Sequence, residues 1–358
     1  MANFQINTIT GKDSKRGTSF VGVTTVSSTG AMRIPSGSSA YRGNGGRGIF
    51  ASGWEPGSVK NINFINIAST GNATAWGDII SVGAALAGGA SNNIRGVIVG
   101  GYTGTDAPAR ISTIQALTIP TNGEIFDFGD LQFNSQQLSG VGNATRGVYA
   151  NGYAYPNMSP VSSNSVNMSY TMIEFMSSAN RTDFGDIIPG AASRDLATCE
   201  TPIRGYFAGG EGTDQSPTNN KKITIKGFSN NSESLNFGEL STLSNRGACL
   251  GSATRGVFVI GNTIPAYTNT MEYITLTTSG ETTDFGDTTA NTGSINNDAA
   301  SNTIRGVYHH PQTAGGGTLL NTLEYITIAS TGNAIDFGDL NYVSRDGCGF
   351  SDSHGGLG

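Results

Sequence analysis

The amino-acid sequence predicts an all-β fold, a β-propeller of six blades, because two phrases each recur six times. The first phrase is Arg-Gly followed by apolar or small residues, and it opens at Arg47, Arg95, Arg146, Arg204, Arg255 and Arg305. The second phrase is Phe-Gly-Asp or a close variant, and it ends at Asp78, Asp130, Asp186, Glu239, Asp287 and Asp339. A strand unit that recurs about every fifty residues is typical of a propeller or a solenoid.

Each of the six units carries the pattern of four short strands. Between the two phrases lies a segment such as Leu323–Ile328, in which apolar and polar residues alternate as they do in a half-buried strand. Another short segment leads into each Arg, as residues 244–252 do before Arg255. Four strands joined by Gly, Asn and Ser turns form one propeller blade. Glycine supplies 52 of the 358 residues and charged residues only 13%, which favours this turn-rich architecture.

The two ends of the repeat region complement each other. Residues 342–351 match a lead-in strand but are followed by no further Arg-Gly unit, whereas residues 40–46 before Arg47 are glycine-rich turn sequence. We therefore predict that residues 341–353 pair beside the strand that opens at Arg47, so that the C-terminal strand closes the first blade. Such closure removes free sheet edges.

The sequence predicts two domains, an N-terminal attachment arm at residues 1–39 and the propeller at residues 40–358. Within the arm, residues 20–26 and 31–34 flank the turn Ser27–Gly30 and predict a β-hairpin. Because a lone hairpin is marginally stable in water, we expect the arm to dock on another chain or on the propeller.

Composition argues against several classes of function. The net charge of −6 and the presence of only six lysines argue against a nucleic-acid partner. No long apolar run predicts a membrane span, and the N-terminus lacks the pattern of a secretory signal, so we expect synthesis and assembly in a cytosol. The three cysteines are expected to be buried packing residues.

The sequence also predicts a protein that is not an enzyme and has no cofactor. It has no nucleophile elbow and no Cys-x-x-Cys, and three histidines leave little material for acid–base catalysis. The pair His309-His310 would need further metal ligands that the sequence does not place nearby. Paired carboxylates of a glycosidase carry no sequence signature, so a carbohydrate-active enzyme remains an alternative.

The sixfold Arg and the sixfold Asp or Glu are expected to be structural, since a functional site on a ring has to break the symmetry of the ring. We expect Arg95 with Asp130, and their equivalents in the other units, to form an ion pair or to cap backbone groups.

The residues that follow the Gly-Gly position of each unit are better candidates for binding, because they differ between units. Three are aromatic and three are polar, namely Trp54, Tyr102, Tyr153, Glu211, Asn262 and Gln312. The third unit adds the longest insertion, with Tyr155 and Tyr170. Aromatic rings among Asn and Ser are typical of surfaces that bind sugars or proteins. The alternative is that each ring packs on the neighbouring blade. The candidate binding residues are therefore Trp54, Tyr102, Tyr153, Tyr155, Tyr170 and Glu211.

The order of these phrases resembles the kelch repeat of β-propellers, with its double glycine at Gly100-Gly101 and Gly209-Gly210. More specifically, residues 323–340 are similar to repeats in kelch-like virion proteins of tailed bacteriophages, notably those that infect marine cyanobacteria. The similarity covers most of the chain. It implies a component of a virion, in the tail or a fibre.

This resemblance leads us to expect a structural or adhesion protein of a phage virion, present in several copies per particle. The arm would bind other virion proteins, and the long-loop face would contact a neighbouring subunit or a glycan or receptor on the host. A glycan-binding receptor module is an alternative that predicts solvent-exposed Trp54, Tyr102 and Tyr153. The enzyme alternative predicts two carboxylates at the mouth of the propeller axis.

Overall fold

The computed structural model describes residues 46–80, 83–104, 109–121, 125–154, 168–177, 181–212, 220–263, 267–313 and 317–353, with strands 25–26, 32–33 and 165–166. The chain divides into two compact units, Met1–Tyr41 and Arg42–Gly358. The regular structure of these residues is β-strand. No helix in this part of the chain is long and apolar enough to cross a membrane.

Thirty strands are present in the described residues. In chain order they are β1 (Thr25–Val26), β2 (Met32–Arg33), β3 (Arg47–Ala51), β4 (Trp54–Glu55), β5 (Gly57–Ser58), β6 (Asn61–Asn66), β7 (Thr74–Asp78), β8 (Gly88–Ser91), β9 (Arg95–Val99), β10 (Ile111–Thr118), β11 (Phe126–Gln136), β12 (Ser139–Gly142), β13 (Arg146–Ala150), β14 (Tyr153–Ala154), β15 (Ser165–Val166), β16 (Ser169–Glu174), β17 (Thr182–Asp186), β18 (Ala197–Glu200), β19 (Arg204–Ala208), β20 (Asn220–Gly227), β21 (Leu235–Ser244), β22 (Ala248–Gly251), β23 (Arg255–Val259), β24 (Thr268–Thr275), β25 (Thr283–Thr292), β26 (Ala299–Ser301), β27 (Arg305–Gln312), β28 (Leu319–Thr327), β29 (Ile335–Asp339) and β30 (Cys348–Ser351).

In the N-terminal unit, β1 pairs with β2 in antiparallel register, with Thr25 opposite Arg33 and Val26 opposite Met32. This pairing is the one that the predicted hairpin requires. The predicted turn between the two strands lies outside the described residues.

The other strands form the six antiparallel blades of a propeller, each with four strands; β14 and β15 extend the sheet of blade two beyond β11, and β4 and β5 pair as a separate two-stranded sheet. Blade one is β30-β3-β6-β7, and blades two to six are β8–β11, β12-β13-β16-β17, β18–β21, β22–β25 and β26–β29. The first strand of each blade lies innermost, since β8, β12, β18, β22, β26 and β30 contact one another in that order and β30 returns to β8. The predicted six-bladed propeller is thus confirmed.

Blade one is assembled from both ends of the repeat region, as predicted. In this blade β30 pairs with β3, and Phe350 lies opposite Ile49. The Phe350 side chain also reaches the next blade, where it joins Ile98 and Leu117 in one apolar cluster. The last strand therefore joins blade one to blade two as well as closing the ring.

In blades three to six, the glycine of the Phe-Gly-Asp phrase or its variant allows the next blade to approach. In β25 a Cβ atom on Gly286 would lie 2.5 Å from the carbonyl oxygen of Gly332, which belongs to a turn of blade six. In β29 a Cβ atom on Gly338 would lie 2.5 Å from the carbonyl oxygen of Gly71 in blade one. Both glycines have a φ near +140°. Glycine is needed here because a neighbouring main chain occupies the space of a side chain.

Five of the repeated arginines join their blade to the next. Their guanidinium groups donate to main-chain carbonyls across the blade boundary, from Arg47 to Ile119 at 3.0 Å, Arg95 to Phe175, Arg146 to Phe228 at 2.7 Å, Arg255 to Ile328 at 3.1 Å and Arg305 to Ala68 at 3.0 Å. Several also lie on an aromatic ring of their own blade, as Arg255 does on Tyr273 at 4.3 Å. The arginine therefore caps the neighbouring blade, which is the second of the two roles considered above.

The predicted ion pair between Arg95 and Asp130 is not formed, because the two residues lie at opposite ends of their blade. Arg95 is opposite Thr118 at one end of β10, and Asp130 is opposite Thr113 near the other end. Those two partners are about 17 Å apart along the strand. Asp130 instead accepts a hydrogen bond from the Ser112 hydroxyl at 3.0 Å.

Buried polar side chains of the third strand form a second set of contacts between blades. Each carries an oxygen that accepts a backbone N–H from the preceding blade, in the pairs Asn63 with Asn341 at 2.9 Å, Gln115 with Ile80 at 2.7 Å, Glu272 with Ser241 at 3.0 Å and Glu324 with Thr289 at 3.4 Å. All four side chains are almost fully buried. Buried polar groups need such partners, so these contacts fix how neighbouring blades are aligned.

Candidate binding site

One end of the propeller axis is surrounded by six residues in a left-handed backbone conformation. Each stands two positions before an innermost strand, and together they are Leu86, Gln137, Asp195, Arg246, Asn297 and Asp346. Their φ angles lie between 51° and 62°. We call these six residues the inner ring. A non-glycine residue in this conformation costs roughly 1–3 kcal/mol, so the surrounding structure must hold it there.

Main-chain hydrogen bonds hold the inner ring. The N–H of Leu86 donates to the carbonyl of Asp346 at 2.8 Å, that of Gln137 to Leu86 at 2.7 Å, that of Asp195 to Gln137 at 3.3 Å and that of Arg246 to Asp195 at 2.9 Å. In blade six the loop 294–297 completes the circle, because the N–H of Asn296 donates to Arg246 and the carbonyl of Ser294 accepts from Asp346. The backbone at this mouth is therefore closed on itself and independent of side-chain identity.

Asn297 fills the axis below this mouth. Its side-chain oxygen accepts the N–H groups of Thr198 at 3.1 Å and Cys249 at 3.3 Å, and its amide donates to the Thr198 hydroxyl at 2.6 Å. Its carbonyl accepts from Gly349 at 3.2 Å. Asn297 of blade six thus contacts blades four and five through its side chain and blade one through its carbonyl. A cavity of about 40 Å³ remains between the innermost strands.

The side chains of the inner ring break the sixfold symmetry. Arg246 contacts two carboxylates, with Nε 3.3 Å from Asp195 and Nη1 3.5 Å from Asp346, and Gln137 donates its amide to Asp195. Burial raises the pKa of Asp346 to about 6, against the opposing effect of the Arg246 charge. The adjacent Asp195 charge raises the pKa of Arg246. The centre of the mouth is thus a buried, mutually neutralised charge cluster.

A second circle of residues surrounds the inner ring, and we call it the outer ring. Each member forms a main-chain bridge with the residue that precedes the inner-ring loop of its blade, in the pairs Trp54–Arg345, Tyr102–Ala85, Tyr153–Gln136, Glu211–Arg194, Asn262–Asn245 and Thr313–Thr292. Five of these are residues that follow the Gly-Gly position. The sixth such residue, Gln312, is buried beside Thr313. The structure therefore brings the candidate residues of different units together on one face.

Blades one to three supply the aromatic half of the outer ring. The rings of Trp54 and Tyr102 lie 5.6 Å apart with an interplanar angle of 31°. The Tyr153 ring lies between two guanidinium groups, with Arg110 at 4.6 Å and Arg194 at 5.1 Å. All three rings are half-buried. Each ring thus packs on a neighbour while part of its surface stays open to solvent. This state lies between the two predictions, a fully exposed ring and a ring packed on the neighbouring blade.

Blades four and five supply the polar half. Glu211 accepts hydrogen bonds from Arg194 at 2.7 Å and from the Asn245 amide at 2.6 Å. Burial and the nearby Asp195 charge raise the pKa of the Glu211 carboxyl, although Arg194 opposes them. Asn262 accepts the N–H of Ser294 at 3.0 Å. These groups are planar amides and carboxylates whose positions are fixed by neighbours.

One of the candidate residues does not join this surface. Tyr170 is fully buried and packs on Phe207 with ring centroids 5.1 Å apart, so its predicted role in surface binding is corrected to a role in the core. Its position in β16, the third strand of its blade, explains the burial. Tyr155 lies outside the described residues.

The paired histidines bind carboxylates of their own blade. His309 Nδ1 lies 3.0 Å from Asp298, and His310 Nδ1 lies 2.7 Å from Glu324. Hydrogen bonds from His310, Thr289 and Tyr308 outweigh the effect of burial and lower the pKa of the Glu324 carboxyl. In the part of the chain that the structure describes, no three His, Cys, Asp or Glu side chains form a group that could hold a metal.

Sequence reasoning missed the inner ring. A signal was present, because the position two residues before each lead-in strand is Leu, Gln, Asp, Arg, Asn or Asp while the strand beside it stays small and apolar. Variation at one position inside a constant repeat indicates a site that differs between blades.

Comparison of the sequence with profiles of known protein families finds no matching family. Comparison with curated proteins finds no matching relative.

Proposed function

We propose that this chain is a non-enzymatic structural or adhesion component of a phage virion and that it binds its partner through the axial mouth. The observation that carries the binding role is the concentration of non-equivalent side chains at the inner and outer rings. Elsewhere most of the blades share the same arginine and Phe-Gly contacts, which serve the ring itself. The virion setting is supported by the similarity of the repeats to phage proteins.

In this proposal the N-terminal unit attaches the protein to other virion proteins and several copies are present per particle. Cryo-electron microscopy of the intact particle tests the setting, since it shows what the first forty residues contact. An N-terminal unit that contacts only solvent in the particle would contradict the attachment role.

Competition with phage adsorption tests the binding role of the mouth. Purified full-length protein, added to cyanobacterial host cells before the phage, is expected to lower adsorption several-fold. A Trp54→Ala/Tyr153→Ala variant should lose this effect. Ile203→Ala is the matched control, because Ile203 is 65% exposed and precedes Arg204 at the opposite end of blade four. A mouth variant that competes as well as the wild type would contradict the proposal.

Glycoside hydrolysis is the second candidate function, because two carboxylates, Asp195 and Asp346, do lie together at the mouth. An acid with a raised pKa beside a second carboxylate is the arrangement that glycosidases use. Here, however, both carboxylates are buried, and both are engaged by the Arg246 guanidinium. Binding without turnover is therefore the first candidate. Release of reducing ends from host polysaccharide by the wild type, abolished in Asp346→Asn, would instead establish the enzyme.

A further inference from the structure

The aromatic half of the mouth offers flat apolar surface on one side of the axis. Trp54 and Tyr102 lie at a shallow angle to each other and are partly open to solvent. Aromatic side chains of this kind pack against the apolar face of a flat, rigid ligand at low entropic cost, while the O–H or N–H of the side chain stays in contact with water.

The polar half lies across the axis from Trp54, since blade four is opposite blade one. Glu211 is held there by a hydrogen bond from the Asn245 amide. Its carboxylate can accept hydrogen bonds from the hydroxyl groups of one ligand. A ligand that contacts both halves therefore needs an apolar ring face at one end and hydroxyl groups at the other.

Charge at the mouth argues against an anionic ligand. Arg194 pairs with Glu211 at 2.7 Å, and Arg345 lies 3.7 Å from Asp346. Arg246 contacts both Asp195 and Asp346. Since each of these three guanidinium groups already has a carboxylate partner, an acidic ligand would have to displace one of them. Neutral groups face no such competition.

Several buried polar atoms beside the mouth have no hydrogen-bond partner in the structure. They include Asp195 Oδ1, Ser193 Oγ, Arg194 Nε and Gln136 Oε1, and they cluster in the segments that precede the innermost strands of blades three and four. The Asp195 side chain is fully buried. Buried polar atoms are satisfied in nearly all native structures, so ordered water is expected to reach these atoms, and such water can bridge them to the hydroxyl groups of a bound ligand.

We infer that the axial mouth binds a neutral oligosaccharide, with one sugar ring stacked on Trp54 and Tyr102 and the hydroxyl groups of a further unit bound by Glu211. This inference rests on the proposed function only in taking the mouth as the binding surface. An oligosaccharide fits better than a single sugar because the two halves lie in opposite blades.

Tryptophan fluorescence tests the inference directly, because the chain contains two tryptophans and one of them is Trp54. Trp76→Phe removes the other, and the five remaining blades carry Phe at that position. The probes are oligosaccharides released from host cell envelopes and separated by anion exchange into a neutral and an acidic pool. The neutral pool is expected to change the Trp54 emission saturably, and the acidic pool to act at least ten-fold more weakly.

Two variants complete the test. Trp54→Phe with Trp76 retained should show no emission change, and Glu211→Gln in the Trp76→Phe background should bind the neutral pool about five-fold more weakly, the loss of roughly one hydrogen bond. Binding of the acidic pool alone, or of neither pool, would overturn the inference. If neither pool binds while the protein still blocks adsorption through the mouth, the proposed function stands and its partner is a protein.

Discussion

Phe350 lies opposite Ile49 in the strand pair that closes the propeller, and its ring rests against the backbone of Gly96 in the next blade. The second contact exists because Gly96 has no side chain, and a Cβ atom there would overlap the Phe350 ring. Closure of the ring therefore depends on a glycine in blade two.

Gly96→Ala is expected to destabilise the protein by roughly 1–3 kcal/mol, since an added methyl group in a packed site forces the backbone or the ring to move. Chemical denaturation measures the effect. The control is Gly227→Ala, because a Cβ atom on Gly227 would have no neighbour within 4 Å. Equal stability of the two variants would show that Phe350 can move freely and does not lock the ring.

Arg146→Ala is expected to lower the free energy of unfolding by about 1–2 kcal/mol, because it removes the 2.7 Å bond to the Phe228 carbonyl across a blade boundary. Thermal denaturation should show a melting temperature lower by a few degrees. Asp130→Asn is the control, since Asp130 contacts an exposed serine hydroxyl. A larger loss in Asp130→Asn than in Arg146→Ala would contradict the capping role of the arginine.

Lys226→Ile is expected to stabilise the protein. Lys226 lies opposite Gly205, at the position where the other blades place Ile65, Leu117, Ile173, Ile274 and Ile326 opposite the equivalent glycine. It is almost fully buried, and desolvation lowers its pKa to about 8. Removing a buried amine should outweigh loss of its bond to the Ser232 carbonyl and give a net gain of roughly 1–2 kcal/mol at pH 7.

The gain from Lys226→Ile should shrink as the pH rises from about 8 towards 10.5. A lowered pKa means that the folded state releases the proton before the unfolded state does, so the wild type becomes more stable over this range. Urea denaturation at pH 7 and pH 10 measures the difference. A variant that is less stable than the wild type at pH 7 would show that the lysine contributes more through its contacts than its burial costs.

Glu200→Gln is expected to reduce the pH dependence of stability. Glu200 lines the axial cavity, and burial raises its pKa from 4.5 to about 8. The folded state therefore keeps a proton that the unfolded state has released, so wild-type stability should fall as the pH rises from about 4.5 to 8. Denaturation at pH 5 and pH 8 should show that the free energy of unfolding of the variant, relative to that of the wild type, is higher at pH 8 than at pH 5. A constant difference between them would mean that Glu200 ionises normally.

The blade count and the closure of blade one could be predicted because both follow from phrases that repeat along the chain. The strand that is missing before Arg47 is present at residues 348–351, and only one pairing uses both ends. The contacts of Arg146 with Phe228 could not be predicted, since they depend on how far one blade is displaced from the next. That displacement is set by packing of many side chains and has no local signature.

The candidate site was predictable in part. Trp54, Tyr102 and Tyr153 differ from their equivalents in the later units and do lie on one face. The prediction that Tyr170 belongs to the binding surface was wrong. Tyr170 ends a long insertion and was assigned to the loop, whereas it lies in β16. The inner ring escaped notice because residues as different as Leu86 and Arg246 share one backbone conformation, which no single residue type encodes.

The hydrogen-bonded circle around the axis has a consequence for how the protein can change. Its bonds join N–H and C=O groups, so exchanging one inner-ring side chain for another leaves the frame intact. The mouth can therefore acquire a new ligand preference by point substitution, while the backbone around the axis stays unchanged. Related chains are expected to share this frame and to differ in what they recognise.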